Sequence, residues 1–502
     1  MRTTTTDHVD VLIVGAGLSG IGAACHLARD CPDRSFTILE ARDEIGGTWD
    51  LFRYPGVRSD SDMQTLGYAF APWKDDQVIA DGASILRYVR QTAAKYRVDE
   101  RIRPRHRARS AAWDSAESAW TVQVQRTDTA ETLELSCSFL LMCTGYYRYD
   151  GGYTPEFPGT ERFAGPIIHP QAWPEDLDYA GKRVAVIGSG ATAITLLPAL
   201  ARAAAHVTML QRSPSYVVSL PAVDPLARWA RRWLPEMAAY QLIRSKNVLL
   251  MGLSYQLSRR RPKLVKASIR RMTRRQLPEG FDVDTHFRPR YDPWDERMCV
   301  CPDGDLFRAL SSGRASVVTD TIETFTEHGI ALTSGQELAA DIIVTATGLR
   351  LQALGGASLS VDGQPVQLPD KLAYRGMMLS GVPNFALTIG YTNASWTLKA
   401  DLVADYVCRL LNHMRAHGYR ECVAPDDPPG VQREPLIDLS SGYVQRSVRD
   451  FPQQGSELPW RVRQNYALDR RDFRRGGVDD GVMQFSRGAL ATGPEGTVYV
   501  AA

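Results

Sequence analysis

Val11-Leu12-Ile13-Val14-Gly15-Ala16-Gly17-Leu18-Ser19-Gly20 decides how the chain begins to fold. Its four apolar residues at 11–14 read as a buried strand, and residues 21–29 after the third glycine favour a helix. Strand, tight turn and helix in this order form a dinucleotide-binding unit. Gly15 permits the turn, Gly17 lets backbone approach a pyrophosphate, and Gly20 lets helix and strand pack closely. A second strand, Phe36-Thr37-Ile38-Leu39, ends at Glu40, twenty residues after Gly20. A carboxylate there can accept hydrogen bonds from a ribose diol.

The pattern returns at Val184-Ala185-Val186-Ile187, followed by Gly188-Ser189-Gly190-Ala191-Thr192-Ala193 and an Ala/Leu-rich helix to about residue 205. Alanine replaces the third glycine, which still allows close helix packing. The next strand, 207–210, leads into Gln211-Arg212-Ser213 with no acid. A carboxylate at that point would repel a 2′-phosphate, whereas the Arg212 guanidinium and the Ser213 hydroxyl can bind one. Two dinucleotide units in one chain point to electron transfer between two cofactors, FAD at the first site and NADPH at the second. The strands before Cys143-Thr144-Gly145 and Thr345-Ala346-Thr347-Gly348 read as chain crossings between the two units.

The chain is 502 residues long, enough for several domains that each bury a core. Hydrophobic residues at 44% and charged residues at 23% are ordinary for a globular protein. Lys plus Arg (59) nearly cancels Asp plus Glu (57), so no whole-molecule field attracts nucleic acid, and none is expected as a partner. No run approaches the length of a membrane span and the start carries no export signal, so a cytoplasmic location is expected. The eight cysteines show no CxxC pair and no zinc-type spacing; neither a metal site nor a dithiol reductase is expected.

Upstream of the second unit stands Phe163-Ala164-Gly165-Pro166-Ile167-Ile168-His169-Pro170-Gln171-Ala172-Trp173-Pro174. This resembles the FxGxxxHxxx-aromatic signature of the class B flavoprotein monooxygenases, and the terminal Trp173-Pro174 resembles the type I Baeyer-Villiger branch. The segment Gly46-Gly47-Thr48-Trp49, continuing through Tyr54-Pro55-Gly56 to Asp60, fits that branch's GGxWxxxxYPGxxxD pattern. The stretch from His286 through Trp294 and Arg297 to Phe307, and Gly390 to Lys399, resemble the subgroup containing the mycobacterial ethionamide-activating monooxygenase.

The resemblance implies that an NADPH-reduced flavin reacts with dioxygen to give a flavin C4a-peroxide, which inserts oxygen beside a ketone carbonyl to give an ester or lactone. Sulfoxidation is implied as a side activity, so ketones and thioethers are the expected substrates, with O2. By the same resemblance Trp49 and Gly47 lie along the FAD, Asp60 is an active-site acid, and Arg297 is the active-site arginine. Arg297, always protonated, would stabilise developing negative charge, and Asp60 would orient it. Phe163, Gly165, His169 and Trp173 form the domain-coupling fingerprint, with His169 a linker rather than a general base. Glu296 departs from the Lys or Gln of relatives and brings a carboxylate towards the NADPH phosphate. A heteroatom N- or S-monooxygenase is the alternative, as is a protein that keeps the fold without the chemistry; in the latter Asp60 and Arg297 need not meet.

The expected fold is α/β, with two Rossmann-like dinucleotide-binding domains and a helical insertion. Residues 1–149 and 352–502 are expected to form a discontinuous FAD-binding domain, 150–215 and 297–351 an NADPH-binding domain, and 216–296 the insertion. The insertion is strongly basic and interleaved with Trp and Leu, a composition that suits a solvated helix face walling the pocket or peripheral contact with a membrane.

Overall fold

A computed structural model describes residues 7–488; residues 1–6 and 489–502, the outer ends of the expected FAD-binding domain, lie outside the described residues. The Asp7–Val14 strand sits inside a nine-stranded sheet, paired in parallel with Phe36–Leu39 on one side and Thr132–Met142 on the other. Its last four residues are wholly buried. That environment, covered on both faces, is why residues 11–14 read as an uninterrupted apolar run and not an alternating one. The helix Leu18–Asp30 follows and packs against Trp396–His417 from far along the chain. Ser358–Val361 adds in parallel to His106–Asp114, and Phe385–Leu387 to Thr132–Met142. Residues beyond 352 thus complete the sheet that residues 7–142 begin.

A second sheet has five strands, all parallel, in the order Ala315–Thr319, His206–Gln211, Arg183–Ile187, Ile342–Thr345, Ile167–Ile168. Arg183–Ile187 lies at its centre and leads into the helix Ala191–Leu200. The molecule is therefore α/β, with a mixed nine-stranded sheet in which His106–Asp114, Ala119–Arg126 and Thr132–Met142 pair antiparallel, and an all-parallel five-stranded one.

The chain passes between the sheets twice, and the passages lie side by side. Tyr147 and Leu351 form an antiparallel bridge, the Arg148 N–H donates to the Arg350 carbonyl at 2.9 Å, and the Tyr153 N–H donates to the Gly348 carbonyl at 3.0 Å.

The basic stretch forms the helices Pro225–Trp233, Glu236–Arg260 and Pro262–Gln276. Segment 216–296 is not wholly helical: Val217–Leu220 is a strand paired in parallel with Cys299–Pro302. Buried Arg244 ties the insertion to the first unit, donating to the carbonyls of Gln64 and Gly67, both at 2.7 Å. All eight cysteines are buried and unpaired. Among the described residues no helix is long and apolar enough to cross a membrane.

Candidate active site

A solvent-open cleft with a cavity volume of about 550 Å³ is lined by residues of both units, including Gly15, Gly17, Trp49, Asp60, Thr192 and Arg297. The first turn is built as its glycines require. Gly15 has φ +105°, and a Cβ there would stand 2.6 Å from the Cys143 carbonyl oxygen; a Cβ on Gly20 would stand 1.8 Å from the Gly15 carbonyl oxygen. Substitution at either position therefore forces backbone apart. Gly17 instead faces Gly47 across a narrow gap, and the Gly46 N–H donates to the Ala16 carbonyl at 3.0 Å. The Gly-Gly pair thus closes over the turn, leaving the side-chain-free strip that a pyrophosphate needs.

Glu40 lies buried at the rim of this turn, one carboxylate oxygen accepting from the Ala16 N–H at 2.8 Å and the other from the Arg42 N–H at 3.0 Å. Burial pushes its carboxyl above the usual range, and the two N–H groups oppose that shift. Two of its acceptor positions remain for a ribose diol.

The loop from Tyr54 to Asp60 is wedged between the units. A Cβ on Gly56 would stand 2.5 Å from the Thr195 carbonyl oxygen of the Ala191–Leu200 helix, so only glycine lets the turn sit there. Arg58 makes a two-point ion pair with Asp305. Asp60 then emerges at the cleft, with Oδ2 3.5 Å from Arg297 Nη1. Arg297, just before the Cys299–Pro302 strand, donates through Nη2 to the Tyr146 hydroxyl at 3.0 Å. The Tyr146 oxygen is the largest influence favouring the charged guanidinium, and Asp60 adds to it; together they outweigh burial. Arg297 Nε is buried and has no partner among the described residues. The site brings one fixed cation and one carboxylate together where both dinucleotide turns open.

At the second turn Gly188 has φ +137°, and a Cβ would stand 2.3 Å from the Ala346 carbonyl oxygen. A Cβ on Gly190 would meet nothing within 4 Å, so the turn is open on that side. Ser189 Oγ donates to the Ser213 carbonyl at 2.9 Å, which brings the segment carrying Arg212 and Ser213 beside the glycine turn. Arg212 is exposed and forms no ion pair among the described residues. These donors fit a phosphorylated ribose. Glu296 is half-buried, and burial raises its carboxyl above the usual range.

The fingerprint residues do not line the cleft. Phe163 is in the core beside Phe325, and Trp173 packs edge-on to Tyr179 with ring centres 6.4 Å apart. A Cβ on Gly165 would stand 2.3 Å from the Asp341 carbonyl oxygen. His169 Nε2 is 3.1 Å from the Gly348 carbonyl, and Nδ1 accepts from the Gln171 N–H at 3.1 Å. Those partners require a neutral ring with its proton on Nε2, and burial lowers its basicity in the same sense. The imidazole lies directly against Gly152, where a Cβ would overlap it at 1.9 Å. It therefore clamps both inter-sheet passages.

Sequence reasoning did not single out Tyr146 or Trp396 as site residues. Their rings lie 5.0 Å apart, and the Trp396 indole N–H donates to Ser19 Oγ at 2.6 Å beside the first glycine turn. The only local signal for Tyr146 is its place directly after the strand-ending Gly145.

A family model described as flavin-binding monooxygenase-like matches residues 8–225. The chain is 55% identical over 483 residues to the FAD-containing monooxygenase EthA of Mycobacterium tuberculosis (strain ATCC 25618 / H37Rv), covering 96% of this chain and 98% of that relative. It is 49% identical over 483 residues to the probable FAD-binding monooxygenase AlmA of Acinetobacter baylyi, covering 96% of each. Among solved structures, an oxidized steroid monooxygenase bound to NADP matches with a TM-score of 0.73 at 21% identity, over 96% of this chain and all of that one. At that identity the likeness is one of fold.

Proposed function

Because the chain belongs to the FAD-containing, flavin-binding monooxygenases, we propose that it holds FAD at the turn 15–20 and NADPH at the turn 188–193, and that it performs a Baeyer-Villiger oxidation. FAD is assigned to the first turn because buried Glu40 stands there for the ribose diol. NADPH is assigned to the second because Arg212 and Ser213 stand beside it and the strand His206–Gln211 does not end in an acid. On this reading residues 1–149 and 352–502 form the FAD-binding domain, 150–215 and 297–351 the NADPH-binding domain, and 216–296 the insertion.

The observation that carries the reaction is Arg297 at 3.5 Å from Asp60 in the cleft shared by both turns. When bound, the flavin reduced by NADPH supplies the activation of dioxygen. One oxygen atom then enters between the carbonyl carbon and its neighbour: a C–C bond breaks, two C–O bonds to the inserted atom are completed, and the second oxygen leaves as water. Arg297 opposes the negative charge that develops on oxygen during attack at the carbonyl, and its charge needs no proton transfer to appear. Asp60 and Tyr146 fix the plane of the guanidinium. Thioethers, which need only oxygen transfer to sulfur, are the second substrate class.

The test supplies the purified enzyme with NADPH, dioxygen and a panel of ketones and thioethers, and follows NADPH loss and product identity together. Esters or lactones from ketones are expected. Sulfoxides without any ester or lactone would replace this reading by that of a heteroatom monooxygenase.

A further inference from the structure

The helical insertion leaves one face without a protein partner among the described residues, and we infer that it docks on an anionic lipid surface. In the helix Glu236–Arg260 the first half is held down, with Ala239, Tyr240, Ile243 and Arg244 buried. Further along, one side is still covered, with Ser258 buried and Tyr255 edge-on to Trp294, and the opposite side is bare. Leu249, Leu253 and Leu257 are 61%, 57% and 47% exposed, and their spacing of four residues aligns them along one side of the helix. Leu250 beside them and Leu264 at the start of the next helix are also more than half exposed. Single exposed leucines are common on any surface, but an aligned row of them marks an interaction face.

The charge around this row selects the occupant. Residues 225–276 hold fourteen Lys or Arg and a single acid, Glu236. Several of the cations are paired within the fold, as Arg259 is with Asp295 and Arg270 with Asp284. Arg260, Arg261 and Lys263, at the turn that follows the leucine row, form no ion pair among the described residues. A second copy of the chain seated on the same face would oppose cation to cation. A bilayer with anionic headgroups instead offers apolar depth to the leucines and charge to the turn, the pairing that holds amphipathic helices in the interface plane. The nearby helix Pro225–Trp233 exposes Trp229 and Trp233, a residue type suited to the headgroup region. No described helix can span a membrane, so the contact lies along the surface.

The test is co-sedimentation of the FAD-loaded full chain with vesicles of phosphatidylcholine alone and of phosphatidylcholine mixed with phosphatidylglycerol. Binding to the mixed vesicles is expected, and it weakens as salt screens the headgroups. Leu249→Ser/Leu253→Ser/Leu257→Ser should lower the bound fraction more than about tenfold, and Arg260→Glu/Arg261→Glu/Lys263→Glu should abolish the preference for the anionic vesicles. Oxidation of NADPH in lipid-free solution, unchanged in both variants, shows that they fold. Failure to sediment with the mixed vesicles overturns the inference, as does equal binding to phosphatidylcholine alone. A dimer in solution that the leucine variant dissolves, without lipid binding, assigns the face to a second copy and also overturns it.

Discussion

The Arg297 guanidinium donates to the Tyr146 hydroxyl at 3.0 Å although 151 residues separate them in sequence. A hydrogen bond to a charged group is worth about 1.5–3 kcal/mol, so Tyr146→Phe, which keeps the ring on Trp396 and removes only the acceptor, is expected to slow product formation about tenfold to a hundredfold. The rate of flavin reduction, followed by stopped-flow absorbance, should stay within about twofold of the parent. An equal fall in both rates would show that Tyr146 supports the fold and not the orientation of Arg297.

Replacing Arg297 by alanine is expected to abolish ester formation while NADPH still reduces the flavin. NADPH consumption then ends in hydrogen peroxide, which a peroxidase-coupled assay measures. Asp60→Asn keeps the shape and removes the charge 3.5 Å from Arg297, and should give a smaller loss of the same kind. Ester yield retained in Arg297→Ala would show that another cation serves the carbonyl.

Loss of Arg212 bears on cofactor choice. Arg212→Ala should raise the KM for NADPH about tenfold to a hundredfold, the equivalent of one charge-assisted contact, and leave the KM for NADH nearly unchanged. Steady-state kinetics with both cofactors read the ratio directly; an unchanged ratio would free Arg212 from the 2′-phosphate.

An ionic cluster, buried at His26, Asp401 and Arg244 and exposed at Asp30, joins three parts of the chain. His26 Nδ1 is 3.3 Å from Asp30 and Nε2 3.7 Å from Asp401, and Arg244 of the insertion reaches Asp401 at 3.5 Å. Burial alone would make His26 less basic, but the two carboxylates overcome it and raise the imidazole to about 9. With the folded value above the unfolded 6.5, the stabilisation is fully present below pH 6.5 and is lost as pH rises through 9. It amounts to at most about 3 kcal/mol. Thermal unfolding of the parent should therefore show Tm falling between pH 6.5 and 9, and His26→Gln should flatten that slope. An identical slope in the variant would place the titration elsewhere.

The two nucleotide units were legible in sequence because each is a local event: a strand, glycines at fixed offsets and a helix, within a few dozen residues. Glu40 and Arg212 follow from the same local rule. Asp60 and Arg297 came from longer patterns, and the structure gives the reason for one of them. Gly56 must pack on the Ala191–Leu200 helix, so the spacing from Tyr54 to Asp60 is set by contact between the two units. Tyr146 and Trp396 were not legible as site residues, since neither residue type nor spacing announces a contact made only when Thr132–Met142 and Trp396–His417 are brought to the same cleft. The strand Val217–Leu220 escaped for a similar reason: its partner, Cys299–Pro302, lies beyond the whole helical insertion.

The paired passages between the sheets bear on how such a molecule could be taken apart. The Gln352 N–H donates to the Tyr146 carbonyl at 3.0 Å, so the point where the chain leaves the larger sheet and the point where it returns are hydrogen-bonded neighbours, about one strand spacing of 5 Å apart. Everything between them is a detour that starts and finishes at one doorway. A splice of a few residues across that doorway would close the outer body without stretching it, and the excised portion would have adjoining ends of its own. The chain thus lets one piece into another through a single doorway, and the Gly56 loop and buried Arg244 pin the two together elsewhere.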